Sequence, residues 1–203
     1  MTGYRDEQLE CHRQVRDAIA RMGEVEKAAL LNEITPYLEL RRQVDRFQEA
    51  FFSDTCSEAC FNSRLSACCT KDGIITFFAD HAINALTAPL ESLKSLIDAL
   101  TGHRSTGKCI YLDPGGCRWH IKPVICEMFL CEPAARNIFS LYPEAGREWQ
   151  RLQAAIKAFR WPIRPVLFDS LEKRFIALGV DSPLMHLHKS PGLIRLKQRH
   201  GVE

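Results

Sequence analysis

Two cysteine-rich stretches dominate this chain: Cys56–Cys69 reads CSEACFNSRLSACC, and Cys109–Cys131 reads CIYLDPGGCRWHIKPVICEMFLC. Together they hold eight of the nine cysteines, spaced C-x3-C-x7-C-C and C-x7-C-x8-C-x4-C. Free cysteine is otherwise a sparse, buried, small hydrophobe, so this concentration indicates a shared chemical task. Because the thiolate is the form of cysteine that binds metal, the spacing predicts a metal-binding protein.

A disulfide framework is the main alternative use of so many cysteines. Such frameworks belong to short secreted chains, whereas Met1–Cys11 reads MTGYRDEQLEC, without the apolar stretch of a signal peptide. The cysteine count is also odd. We therefore expect a cytoplasmic chain with reduced thiols, in which Cys11, far from the others, is a packing residue.

Composition places the chain among globular proteins. Its 203 residues and 46% hydrophobic content suit one packed domain. The net charge of +2 comes from 27 basic and 25 acidic residues, a balance that argues against nucleic acid or an anionic membrane as partner. No apolar run is long enough to predict a transmembrane span.

Apolar periodicity predicts a mainly α fold: a helical single domain over residues 1–203 with a small β-hairpin inside the cysteine-rich region. We expect N-terminal helices over 1–52, a metal-binding core over 53–131, and C-terminal helices with a basic tail over 132–203. The predicted helices are Arg5–Met22, Glu24–Phe52 kinked or split by Pro36, a helix up to about Leu100 interrupted at Pro89, Pro133–Tyr142, Arg147–Phe159 and Val166–Leu178 ending at Gly179. The tail from Pro183 to Glu203 is expected to be irregular, and Arg41, Arg42 and Asp45 to lie on a solvated face.

The first cysteine block predicts a short helix. Ser53 and Asp54 are candidate caps for it, and Cys56 and Cys60 would then share one face at i and i+4. Cys68 and Cys69 are neighbours, whose side chains should diverge and serve different purposes.

The second block predicts a hairpin followed by a helix start. Asp113–Gly116 supplies turn chemistry between short apolar flanks, which would bring Cys109 and Cys117 together. Pro123 suits a first helical turn, and the helix dipole would then favour the thiolate of Cys126. Cys131, five residues further on, is rotated away from Cys126 on an ideal helix, so it could end the turn, bind a second ion or pack.

Charge limits how eight thiolates can be used. A single divalent ion among them would leave a large buried negative charge, so either two metal centres exist or some cysteines stay protonated. Neighbouring cations could offset residual charge on sulfur: Arg64, Lys71, Lys108, Arg118 and Lys122.

The order of these residues resembles the YkgJ-like cysteine-cluster family, described as zinc- or iron-chelating domains. The shared features are a cysteine run ending in Cys-Cys, an Ile-rich helix start in DGIITFFADHAINAL, and a later Gly-Cys, aromatic, Pro and Cys. The likeness spans roughly Cys56–Cys131, although the opening spacing is longer than the family's commonest C-x2-C-x2-C-C form. It implies these metal ligands: Cys56, Cys60, Cys68, Cys69, Cys109, Cys117, Cys126 and Cys131.

The preference of sulfur ligands for soft metals limits the candidate metals but leaves both zinc and iron possible. Soft thiolates select zinc or an iron-sulfur cluster over magnesium or calcium. The C-x3-C pair and the hairpin suit structural zinc, whereas ligands from distant, irregular segments suit an iron-sulfur cluster. His81 and His120 are weak candidates for additional ligands. A partly buried side chain satisfied by a backbone carbonyl is the better expectation for these two, and a surface or loop position is expected for His12, His103, His186, His188 and His200.

Three functions follow from these patterns. The first is a metal-binding protein, holding zinc or iron, with a binding, assembly or redox role and room for a protein partner. The second rests on a resemblance to flagellin lysine methylases, which carry a related cysteine cluster; it implies an iron-sulfur enzyme that methylates a protein lysine with S-adenosylmethionine. The third is a zinc-stapled interaction module that needs metal only to fold. No nucleotide-binding or hydrolase motif occurs, and enzymatic activity stays an open question.

Overall fold

The structure, a computed structural model, describes residues 3–70, 75–102, 108–160 and 166–202. It is mainly helical, with one two-stranded antiparallel sheet. The fold-class prediction is therefore confirmed. Part of the run DGIITFFADHAINAL, together with Lys71 and His103, lies outside the described residues.

Two long helices open the chain, α1 (Tyr4–Arg21) and α2 (Glu24–Phe52). Gly23 stands between them as the extended residue before α2. Pro36 does not split α2, which runs for 29 residues. Ile34 and Tyr37, on either side of the exposed Pro36, are buried in the core, and this packing stabilises the helix across the proline.

The chain leaves α2 without a break and continues as a π-helix over Ser53–Asn62. The prediction of a short, separately capped α-helix here is therefore wrong. The segment is a π-helix, and among the described residues no side chain caps its start. A π-helix has i→i+5 hydrogen bonds and is rare, so local sequence patterns give little warning of it.

The middle of the chain holds α3 (Phe78–Thr87) and α4 (Leu90–Thr101), separated at Ala88 and Pro89 as expected. The predicted hairpin follows as β1 (Leu112–Asp113) and β2 (Gly116–Cys117), with Leu112 opposite Cys117 and Asp113 opposite Gly116. A single-turn helix, α5 (Val124–Glu127), begins directly after Pro123.

The C-terminal part consists of α6 (Glu132–Leu141), α7 (Pro143–Arg160), α8 (Leu167–Ala177), α9 (His186–Lys189) and α10 (Pro191–Arg199). Two expectations here were wrong. The helix predicted to begin at Arg147 begins at Pro143, so Gly146 lies inside α7. The tail is helical rather than irregular. Proline is common at the first positions of a helix, as in α10. The prediction gave more weight to the basic composition of the tail than to this proline.

The main hydrophobic core joins both ends of the chain. It contains Cys11 and Val15 of α1, residues of α2 and α3, and Leu171 and Phe175 of α8. Cys11 is fully buried there, as expected of a packing residue. A second, smaller cluster lies beneath the hairpin and is formed by Leu96, Ala99, Leu100, Tyr111 and Trp119. Among the described helices, none is both long and apolar enough to cross a membrane.

Candidate metal-binding surface

The first cysteine block folds back on itself after the π-helix. Arg64 and Ser66 both have positive φ, 64° and 39°, which reverses the chain. The carbonyl of Cys60 accepts hydrogen bonds from the amides of Leu65 and Ser66 at 3.0 and 3.1 Å. The amide of Ala67 donates to Cys60 Sγ at 3.4 Å. This turn carries Cys68 and Cys69 back beside the π-helix that holds Cys56 and Cys60.

Backbone pairing joins the two cysteine blocks directly. The amide of Cys109 donates to the carbonyl of Cys69 at 3.0 Å, and Thr70 and Lys108 form an isolated antiparallel bridge. The Lys108 ammonium donates to the Leu65 carbonyl at 2.6 Å. The ends of two stretches 39 residues apart in sequence therefore lie side by side.

The hairpin presents two sulfurs to neighbouring amides. The backbone amides of Tyr111 and Leu112 lower the pKa of the Cys109 thiol, and the amide of Trp119 lowers that of Cys117. The side chains of Tyr111 and Trp119 point the other way, into the buried cluster beneath the hairpin, where their rings pack 5.2 Å apart. Burial is the larger effect and leaves the pKa of both thiols above the ordinary value.

Two polar residues of α3 hold the segment that carries Cys126. Asn84 pairs with the backbone of Ile121 in both directions, at 2.9 Å each. Asp80 Oδ1 accepts from the amide of Val124 at 3.1 Å, and its Oδ2 accepts from Phe77 at 2.8 Å. Burial raises the pKa of Asp80 to about 6, against the lowering effect of these two bonds.

Arg41 anchors the same segment from α2. Its guanidinium donates to the Lys122 carbonyl and to the Tyr37 hydroxyl, both at 2.7 Å, and lies 3.7 Å from the Glu127 carboxylate. Lys122 Nζ approaches Glu127 at 3.2 Å. Arg41 is 4% exposed, so its predicted place on a solvated face is wrong. A helical pattern of charges marked it as surface, and two of its partners, Lys122 and Glu127, lie 81 or more positions away in sequence.

The eight thiols of the two blocks are electrostatically connected. Burial is the first cause of raised pKa at Cys56, and negative charge at Cys131, Cys68 and Cys60 adds to it. Burial raises the pKa of Cys126 to about 12, assisted by charge at Cys117, Cys109 and Cys68. Cys109 and Cys117 likewise add to the raised pKa of Cys69. The pKa values of these three thiols therefore depend on charge in both blocks.

The expected stabilisation of a Cys126 thiolate by its helix is not observed. α5 has only four residues, so its dipole is small, and burial with like charges outweighs it. Cys131 lies at the N-terminal boundary of α6, after the turn that ends α5.

An interaction between the two thiols lowers the pKa of Cys68 and raises that of Cys69. That their side chains diverge and serve different purposes stays a prediction. The charges of Lys122 and Lys108 lower the pKa of Cys68 further. The pair is in an irregular turn, where the alternation of a strand or helix does not apply.

The cations expected near sulfur have separate roles. Lys122 lowers the pKa of Cys56, Cys68 and Cys117. Arg118 instead pairs with Asp113 at 3.0 Å, and Arg64 lies on the exposed turn. Lys122 is therefore the cation shared most widely by these thiols.

Histidine is only peripheral to this surface. His81 is buried, with Nε2 2.8 Å from Gln8 Oε1, and His120 is exposed. His12, expected at the surface, is also buried, at 1% exposure. Burial lowers the pKa of His12 to about 4 and that of His81 to about 3, so both imidazoles are neutral at pH 7.

The donor set suits a soft cation, although its atoms are not arranged as a finished site. Within the described ranges, no group of three or more His, Cys, Asp or Glu side chains is placed so that it could hold a metal ion. All nine cysteines are free thiols, and Cys56, Cys68, Cys117 and Cys126 are exposed. A metal cation would favour the thiolate at each of these sulfurs, and would so oppose the partial loss of hydration that raises the pKa of Cys56, Cys117 and Cys126.

No protein-family model, curated protein or solved structure matches the chain. The resemblance to the YkgJ-like family therefore stays a prediction. Function must be argued from the surface formed by the two cysteine blocks.

Proposed function

We propose that this protein binds a soft metal, zinc or iron, through thiolates drawn from both cysteine blocks, and that it acts in metal binding, assembly or redox chemistry. The observation that carries the proposal is the adjacency of the blocks: the Cys109 amide donates to the Cys69 carbonyl at 3.0 Å, and Thr70 pairs with Lys108. Cysteine sulfur is a ligand for zinc and for iron-sulfur clusters.

Three features of this surface support metal binding over packing. Four of the eight thiols are exposed, whereas a packing cysteine such as Cys11 is fully buried. Lys122 and backbone amides supply positive potential at the sulfurs. Exposed side chains on a turn and a hairpin can also rotate toward an ion at small cost. A bound ion would offset the repulsion among these groups, which the metal-free protein must otherwise relieve by protonation.

Anaerobic purification followed by elemental analysis tests the proposal. Zinc would give a colourless protein, and an iron-sulfur cluster a brown one with absorption near ~400 nm. Titration of metal-free protein with Zn²⁺ should raise the stability, by about 2.7 kcal/mol when free metal is 100 times the Kd. Folding that depends wholly on metal would identify a stapled module, and binding of S-adenosylmethionine to the loaded protein would identify the methylase-like enzyme.

Serine variants locate the metal. Cys68→Ser and Cys117→Ser, one in each block, should each reduce bound metal, because the serine hydroxyl is a poor ligand for soft ions. Cys11→Ala is the matched control: it removes a thiol from the core and should leave the metal content unchanged. Equal metal content in all three variants would refute the proposal.

A further inference from the structure

A cavity of about 570 Å³ lies among the C-terminal helices, and the described residues that line it fall between Leu187 and Val202 in sequence. This volume is within the range of pockets that hold small ligands. Leu187, Ile194 and Val202 give the wall an apolar part, and His188 and Lys197 give it a polar part. We infer that the cavity binds a small carboxylate with an apolar tail, at a site separate from both cysteine blocks.

Lys197 is the charged group in this wall. It is 5% exposed, and its ammonium donates to Asp169 Oδ1 on α8. Among the described residues, Asp169 is its only hydrogen-bond or ion-pair partner. An ammonium carries three N–H donors, so two remain for water or a ligand in the cavity. A carboxylate only accepts hydrogen bonds and forms strong, charge-assisted ones with such donors.

His188 offers a second donor beside Lys197. Its Nδ1 lies 2.8 Å from Glu172 Oε2. Its Nε2 lies 3.3 Å from Asp169 Oδ1 but makes no hydrogen bond with any described residue. Burial raises the pKa of Glu172 to about 8 and lowers the pKa of His188, which agrees with a proton on Glu172 at pH 7. The carboxyl then donates to Nδ1, and Nε2 carries the ring hydrogen.

The acidic side chains of α8 lie behind the wall of the cavity. Asp169 and Glu172 are at most 2% exposed, and neither is among the described residues that line the cavity. Glu172 accepts from two backbone amides of α9 at 3.3 and 3.1 Å. With Glu172 protonated, Asp169 carries one negative charge against the two positive charges of Lys197 and of Lys173, which is 3.8 Å away. This excess of positive charge favours an anionic ligand over a cationic one.

Probes that share one tail and differ in the head group test this chemistry: octanoate, 1-octanol and octylamine. Titration of the ¹⁵N-labelled full chain at pH 7 and constant ionic strength, followed by amide NMR, gives both the affinity and the location. Octanoate should shift the signals of Leu187, Ile194 and Val202. It should bind about 10-fold more tightly than octanol, because its hydrogen bonds to the wall are charge-assisted. Octylamine should bind no more tightly than octanol.

Lys197→Met combined with Asp169→Asn removes the ammonium without leaving its buried carboxylate unpaired, and it keeps the local net charge. Its affinity for octanoate should fall about 10-fold, while its affinity for octanol should not change. Lys173→Met is the matched control: it removes a positive charge near Asp169, but Lys173 has a 47% exposed side chain and is not a described lining residue. Its affinity for octanoate should fall less than about 2-fold. Ile194→Trp fills the cavity and should weaken the binding of both octanoate and octanol.

The outcomes separate the site from its chemistry. Octylamine that binds more tightly than octanoate, or an equal loss of octanoate affinity in Lys173→Met and in the double variant, overturns the carboxylate assignment. Octanoate that does not saturate, or that shifts only signals outside the cavity, overturns the site. If the double variant does not fold by circular dichroism, Ile194→Trp decides, and an unchanged octanoate affinity there refutes the inference. Metal content tests the proposed function separately.

Discussion

Replacing Arg41 with methionine should destabilise the protein far more than the same change at Arg42, its neighbour on α2. Arg41 is buried and makes two 2.7 Å hydrogen bonds, to Tyr37 and to the Lys122 carbonyl, besides its ion pair with Glu127. Hydrogen bonds from a charged group contribute about 1.5–3 kcal/mol each. Lys122 still accompanies Glu127 in the variant, so the expected loss is about 3 kcal/mol, near the lower end for a broken buried pair.

Urea unfolding provides the assay for this pair. With a slope of about 2 kcal/mol/M, the Arg41→Met midpoint should fall by about 1.5 M. Arg42 has a 57% exposed side chain that pairs with Glu39 on the surface, so Arg42→Met should cost no more than about 0.5 kcal/mol. Equal midpoints for the two variants would refute the assignment of Arg41 as the anchor of the segment that carries Cys126.

Three further changes test separate parts of the structure. His81→Gln should reduce the loss of unfolding free energy between pH 7.5 and 5.5 by about 1.4 kcal/mol. The pKa of His81 is depressed in the folded protein, so the unfolded chain takes up the proton first and stability falls as pH drops through about 6.5. Urea titrations at both pH values measure this loss, and an equal loss in wild type and variant would contradict the prediction. Pro36→Ala should raise the unfolding free energy by about 1–2 kcal/mol, since Pro36 is exposed within a continuous helix; calorimetry that shows a lower Tm would be the contrary result. Gly116→Ala should cost about 1–3 kcal/mol, because φ is +113° at this residue. Urea midpoints should show a larger loss of stability for Gly116→Ala than for Gly115→Ala, and the reverse order would disprove the turn geometry.

Local sequence patterns predicted much of this fold. The boundaries of α1 and α2, the break at Pro89, the hairpin at Asp113–Gly116 and the end of α8 near Gly179 all follow from apolar periodicity and turn residues. The tail was misjudged because basic composition outweighed a short amphipathic pattern. The π-helix at Ser53–Asn62 has no comparable local signature.

The surroundings of the cysteines depend on contacts that are distant in sequence. Arg41 was expected on a solvated helix face, but its partners Lys122 and Glu127 lie 81 or more positions away in sequence. A buried amide or guanidinium is recognisable only once the elements that cover it are placed. The buried position of His12 was missed for the same reason. Cysteine spacing identified the candidate ligands, but it could not show which amides and cations face each sulfur.

Metal analysis combined with X-ray absorption tests the central claim most directly. Protein purified without oxygen from metal-replete cells should carry zinc or iron, with sulfur ligands at about 2.3 Å for zinc. Cys68→Ser and Cys117→Ser should each lower the sulfur count or the occupancy, while Cys11→Ala should not. A chain that remains metal-free after exposure to both metals, or a metal surrounded only by nitrogen and oxygen, would contradict the account.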